Sequence, residues 1–149
     1  MDKLRLDDQV CFALHAASRA MTAAYQPLLA ALEITYPQYL VLLVLWEEDG
    51  ARVSRIGERL FLDSATLTPL LKRLETRGLV ERRRSQHDER VVEVHLTSEG
   101  KRLKRRCADI PESLCKRAEL SPTQLTTLRA DLQALTRTLH ALTAEDPER

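Results

Sequence analysis

At Gly78 the apolar period of the chain changes from that of a helix to that of a strand. Before it, in "DSATLTPLLKRLETRG", Leu67, Leu70, Leu71 and Leu74 share one face of a helix. After it, "LVERRR" and "RVVEVHLT" read as strands of period 2. Val92, Val94 and Leu96 are expected to point inward, with Glu93 and His95 outward. "SQHDE" between the two runs is a turn, and Gly78 ends the helix.

Upstream, "RVSRIGERLF" is a second short helical pattern, joined through "FLDS", where Asp63 or Ser64 can cap the helix that follows. "EITYPQYLVLLVLWEEDG" places Pro37 in the first turn of another helix. Its Tyr39–Trp46 run is apolar almost all round, so it is expected to be central and buried, stopping at Gly50 in a left-handed conformation. A long first helix is expected from about Asp7, as N-cap, to Leu32. Val10, Leu14, Ala17, Met21, Ala24, Leu28, Leu29 and Leu32 form its apolar stripe, and Pro27 can bend it. After the strands come "TSEGKRLKRRCADIPESLCKRAEL", interrupted at Pro111, and "SPTQLTTLRADLQALTRTLHAL", opened by the Ser121-Pro122 capping pair.

The fold class expected is mainly α with a small β-wing. Three short helices followed by a two-stranded hairpin spell a winged helix-turn-helix lobe at about 53–96. The helices at about 6–32 and 98–143 make a dimerisation lobe, all within one domain spanning 1–149. The final helix carries Leu125, Leu128, Leu132, Leu135, Leu139 and Leu142, more apolar surface than so small a lobe needs. That stripe is expected to pack with the first helix and a second subunit, giving a homodimer.

Net charge is +1, so a nucleic-acid partner must be argued from local charge. From Lys72 to Arg90 there are seven Lys and Arg against four Asp and Glu. A helix fits the DNA major groove, and its first residues reach base edges. Ser64, Thr66, Thr68 and Pro69 are small groups suited to that position. Lys72, Arg73 and Arg77 are expected at phosphates, and Arg82, Arg83, Arg84 and Arg90 in the wing. Double-stranded DNA is therefore the expected partner.

No run is apolar enough to span a membrane, and "MDKLRLDDQ" has no signal-like core, so a cytoplasmic location is expected. Three cysteines without framework spacing argue against a secreted disulfide scaffold. Those cysteines and the four histidines (His15, His87, His95, His140) show no paired-ligand spacing. There is no glycine-rich phosphate loop or nucleophile elbow. The expectation is no metal, no cofactor and no enzymatic activity.

The segment "LFLDSATLTPLLKRLETRGLVERRRSQHDERVVEVHLTSEG" resembles the MarR family of dimeric winged-helix regulators. Its most specific feature is the Asp88-x-Arg90 pair in the wing turn, followed by a strand and "LTSEG". The resemblance implies that Asp88 braces Arg90, which enters the minor groove. "DDQVCFALHAASRAMTAAYQPLLAALEITYPQYLVLLVLWE" is further similar to the organic-hydroperoxide-sensing branch of that family. That likeness implies a reactive Cys11 whose thiol accepts hydrogen bonds from Tyr25 and Tyr36 across the dimer interface. His15 stands where some relatives have a third tyrosine. In one subtype a second cysteine, supplied by the other subunit, resolves the oxidised one, and Cys115 matches that position better than Cys107.

The chemistry of Cys11 is balanced on the residues alone. Peroxide oxidises thiolate, and the first turns of a helix favour an anion. Asp7, Asp8 and burial oppose it, whereas a protonated His15 at i+4 favours it. Phe12 and Leu14 offer an apolar wall to a lipophilic organic hydroperoxide. The plain alternative is an inert core cysteine. Two further alternatives are a repressor released by a small phenolic or aromatic ligand, and a thiol peroxidase. The resemblance favours a repressor that releases its operator on oxidation, through a disulfide from Cys11 to the partner's Cys115.

Overall fold

The computed structural model describes residues 4–144, so the domain expected over 1–149 extends at both ends outside the described residues. A 3-10 turn at Leu6–Asp8 precedes α1 (Val10–Ala30), α2 (Tyr36–Glu47), β1 (Ala51–Arg52), α3 (Val53–Leu60) and α4 (Ser64–Thr76). Then follow β2 (Val80–Arg84), β3 (Val92–Leu96), α5 (Ser98–Cys107), α6 (Ile110–Arg117) and α7 (Pro122–Ala144). The chain forms two compact units, Met1–Ile110 and Pro111–Arg149.

The first unit is built around α2. Thr35 caps it: its hydroxyl accepts from the Gln38 N–H at 3.4 Å, and the Gln38 side-chain oxygen accepts from the Thr35 N–H at 2.9 Å. This capping box satisfies a buried glutamine, and Pro37 occupies the first turn. Tyr39, Val41, Leu42, Val44 and Leu45 are buried, as an apolar run all round a helix requires. Leu67, Leu70, Leu71 and Leu74 of α4 join the same core, with Ile56, Leu79, Val80, Val94 and Leu103. Each such leucine contributes about 1.5–3 kcal/mol relative to exposure.

The expected hairpin is one strand larger than its sequence indicates. The sheet is antiparallel in the order β1-β3-β2, with Ala51 opposite Val94, Val80 opposite Leu96 and Arg84 opposite Val92. Two residues of β1 carry no readable period, so only pairing defines that strand. The clean in–out alternation of β3 is also corrected. Val94 is buried, but Glu93 and His95 are half-buried and face each other at 3.2 Å. The His95 ring lies over Gly50, which takes φ +82 as the turn before β1 demands.

The first helix starts later than expected. Asp7 and Asp8 are spent in the 3-10 turn, and Gln9, not Asp7, is the N-cap. The Gln9 side chain donates back to the Arg5 carbonyl at 3.2 Å and offers α1 no cap. The helix continues through Pro27 to Ala30. Of its residues only Leu29 is buried, and Val10, Phe12 and Met21 are exposed.

In the second unit, Glu119 takes a left-handed φ of 55° after α6. Ser121 and Gln124 form a reciprocal capping pair at the start of α7, with bonds of 2.9 and 3.2 Å. No residue of α7 is buried, and Leu128, Leu132, Leu139 and Leu142 are exposed.

Candidate functional site

Two groups of residues carry the candidate chemistry: the outer face of α4 with the wing, and the thiol region.

The start of α4 is fixed by Asp63, whose carboxylate accepts from the Thr66 N–H at 2.7 Å. That bond holds the Asp63 carboxyl below the usual range. Ser64, Thr66, Thr68, Pro69, Lys72 and Arg73 are all exposed on this helix, opposite the buried leucines. Lys72 and Arg73 have no ion pair among the described residues.

Arg77 departs from expectation. Its guanidinium lies 2.6 Å from Glu33, in the α1–α2 turn, and 3.6 Å from Glu99 on α5. These two carboxylates link it to the α1–α2 turn and to α5. Arg82 is engaged in the same way. Glu75 on α4 accepts from the Arg82 N–H at 3.1 Å and from its guanidinium at 2.9 Å. These bonds hold the Glu75 carboxyl below its usual range. Glu75, Glu33 and Glu99 were missed from sequence. For Glu75 the signal is a carboxylate on an otherwise cationic helix face, which does not name its partner; Glu33 and Glu99 lie on other segments and give none.

The wing tip presents Arg90, whose side chain is 91% exposed. Asp88 Oδ1 accepts from the Arg90 N–H at 3.1 Å and from Nε at 3.2 Å. The Arg90 side-chain and backbone bonds together hold the Asp88 carboxyl below the usual range. A charged arm thus projects from a base fixed by its neighbour. Arg84 is exposed and donates to the Glu89 carbonyl at 2.8 Å, and Arg83 pairs with Glu81 at 2.5 Å. Thr68 and Leu71 of α4 and Arg90 of the wing line one cleft of about 380 Å³, together with Arg52 of the unforeseen strand β1.

All three cysteines are free. Cys11, the second residue of α1, is exposed within its own chain. His15 is exposed one turn on, and Leu14 is half-buried. Tyr25 and Tyr36 come together, with ring centroids 4.9 Å apart. Tyr39 packs against both, at 5.8 and 6.3 Å. Burial raises the Tyr36 phenol and, chiefly, the Tyr39 phenol, which is pushed up to about 12. Cys11 does not join this cluster within its own chain. Tyr25 lies 14 residues along the same helix, about 21 Å at a rise of 1.5 Å per residue. Cys107 is buried on α5, where desolvation pushes its thiol up. Cys115, on α6, is half-buried.

Among the described residues no group of three or more His, Cys, Asp or Glu side chains is placed to hold a metal ion. No helix of the described residues is long and apolar enough to cross a membrane.

The profile of the family described as transcriptional regulator SarA/Rot matches residues 23–107. The organic hydroperoxide resistance transcriptional regulator of Bacillus subtilis is 49% identical over 139 residues, covering 93% of this chain and 95% of that protein. The solved structure of reduced AbfR bound to DNA superposes with a TM-score of 0.81 at 36% identity, covering 98% of this chain and all of the other. Disulfide-formed AbfR, also 36% identical, gives a TM-score of 0.65 over 97% of this chain and 96% of the other. A matched segment of more than half the chain, a near full-length relative and a shared fold agree: the chain belongs to the MarR-like winged-helix family of transcriptional regulators, on the branch of the organic hydroperoxide regulators.

Proposed function

We propose that this protein is a cytoplasmic, homodimeric DNA-binding repressor that senses organic hydroperoxides through Cys11. The observation that carries the DNA reading is the joint exposure of the α4 face and of Arg90, braced by Asp88, on either side of one cleft. Ser64, Thr66, Thr68 and Pro69 read base edges in the major groove. Lys72, Arg73 and Arg84 meet phosphates, and Arg90 enters the minor groove. Arg77 and Arg82 serve indirectly, by holding α4 against its neighbours. Two such faces in a dimer read two half-sites about one helical turn apart. The exposed apolar residues of α1 and of α7 supply surface for a second copy.

The thiol reading rests on an exposed Cys11 that its own Tyr25 and Tyr36 cannot reach, which matches donation across a dimer interface. The Cys11 thiolate attacks the outer oxygen of the hydroperoxide. The O–O bond breaks, an alcohol leaves with the added proton, and Cys11 becomes a sulfenic acid. The Cys115 thiol of the partner subunit then attacks that sulfur, an S–S bond forms and water leaves. Buried Cys107 is the poorer resolving thiol on grounds of access. Moving a regulator from 1:99 to 99:1 requires about 5.5 kcal/mol of bias, which a covalent bond can provide and a reductant can remove. The protein is consumed once per oxidant until reduced, so it acts as a sensor and not as a peroxidase.

The test is a titration of the reduced protein with cumene hydroperoxide, using a duplex selected from random sequence by the reduced protein. DNA release and non-reducing gels are read on wild type, Cys11→Ser, Cys107→Ser and Cys115→Ser. Wild type and Cys107→Ser should release DNA as a covalent dimer, and the other two should form no such dimer. Peroxide-driven release by Cys11→Ser at the wild-type dose would sink the thiol reading.

A further inference from the structure

The aromatic cluster does not end at the two tyrosines assigned to the thiol. Tyr39 is 2% exposed and packs its ring against Tyr25 and Tyr36 on one side. On the other it meets Trp46 edge-on, centroids 6.3 Å apart. The Trp46 indole N–H donates to the Gly100 carbonyl at 2.9 Å, across 54 residues of chain. Gly100 lies in the first turn of α5, directly against the joint between α4 and β2. A Cβ at Gly100 would overlap the Leu79 carbonyl oxygen, so only glycine allows this approach. Thr97, the cap of α5, donates its hydroxyl to the Gly78 carbonyl at 2.6 Å and its N–H to the Leu79 carbonyl at 3.1 Å. A continuous line of packed rings and short hydrogen bonds therefore runs from Tyr25 and Tyr36 to the end of α4 and the start of the wing.

We propose that Tyr39 and Trp46 are positioning residues of the thiol site, which hold Tyr25 and Tyr36 in place and pass a change there through Gly100 to α4 and the wing. This rests on the reading of Cys11 as the oxidised thiol. Close-packed interiors deform little, so a shift of the tyrosine pair must displace Tyr39 and the indole together. The indole cannot move without straining or breaking its bond to Gly100, and Gly100 has no clearance from Leu79. Neither residue touches DNA or the peroxide in this reading. Their effect is on how strongly oxidation is felt at the DNA face.

Trp46 is the single tryptophan of the chain, so its emission reports on this link without any added probe. Full-length reduced wild type and Cys11→Ser are titrated with cumene hydroperoxide. Trp46 emission, Cys11 oxidation by intact mass, and affinity for the selected duplex are followed together. Emission should change in step with Cys11 oxidation in wild type and stay constant in Cys11→Ser. In Tyr39→Leu, which removes the ring, the ratio of reduced to oxidised affinity should shrink at least tenfold. The reduced affinity should stay within about twofold, and Tyr39→Phe should restore the wild-type ratio. Constant emission while wild-type Cys11 is fully oxidised and DNA is released overturns the proposal and leaves peroxide sensing intact. A wild-type ratio in Tyr39→Leu overturns it too. If wild-type Cys11 is not oxidised, or Cys11→Ser releases DNA equally, the sensing reading fails and this inference with it. Should Tyr39→Leu not fold, the emission titration alone decides.

Discussion

Both carboxylate oxygens of Glu75 are taken by one residue, Arg82: Oε1 accepts its backbone N–H at 3.1 Å and Oε2 its guanidinium at 2.9 Å. One side chain of α4 thereby fixes the direction in which the first wing strand leaves. Glu75→Gln keeps the shape but weakens a charge-assisted pair. Because both partners are about a third exposed, the loss in stability should be about 1 kcal/mol or less. Thermal unfolding should show a drop of a few degrees, and operator affinity should fall several-fold because α4 and the wing no longer share a fixed angle. Unchanged affinity would mean the wing is held by the sheet alone.

The same pair gives a pH dependence of known sign. The Glu75 carboxyl lies below its ordinary value of 4.5 when folded, chiefly because it accepts from Arg82. Its contribution is therefore complete above that value and is lost as pH falls through the lower, folded one. The difference in unfolding midpoint between wild type and Glu75→Gln should be constant above pH 4.5 and narrow progressively below it. A gap that widens on acidification would contradict the assignment.

Arg90 and Arg77 should separate cleanly in salt titrations. Arg90 is an exposed arm, whereas Arg77 is held between Glu33 and Glu99. Arg90→Ala should weaken operator binding and reduce the slope of log affinity against log salt by about 1. Arg77→Ala should leave that slope unchanged and lower the unfolding temperature instead. A slope reduced by Arg77→Ala would return that residue to the phosphate contacts.

The exposed leucines of α7 should hold the dimer. Sedimentation of Leu132→Arg/Leu139→Arg should shift toward the monomer, with loss of operator binding and of any peroxide-driven covalent dimer. A double variant that remains dimeric would move the interface elsewhere.

Cys107 should resist brief alkylation of the native protein and react at once on unfolding, since it is buried with its thiol pushed up. Cys115, half-buried on α6, should react in the native reduced state. Rapid native modification of Cys107 would undo the ranking of the two as resolving thiols.

The sequence by itself determined what local chemistry and periodicity encode. The four leucines of α4, the Asp63 cap, Pro37 in the first turn of α2, and Gly50 and Gly78 as helix stops all act within a few residues of chain, so each was readable in place; the Asp88–Arg90 brace came with the family resemblance. The resemblance added Cys11, Tyr25 and Tyr36 as candidates. Only the tertiary structure decided what depends on distant partners. The two-residue strand β1 exists because β3 pairs with it. Arg77 and Arg82 are occupied because Glu33, Glu99 and Glu75 come to meet them. Tyr39 and Trp46 read as plain core, and the indole bond that ties them to Gly100 spans 54 residues. A periodic pattern says which face turns inward; which partner waits there is set by how the elements pack.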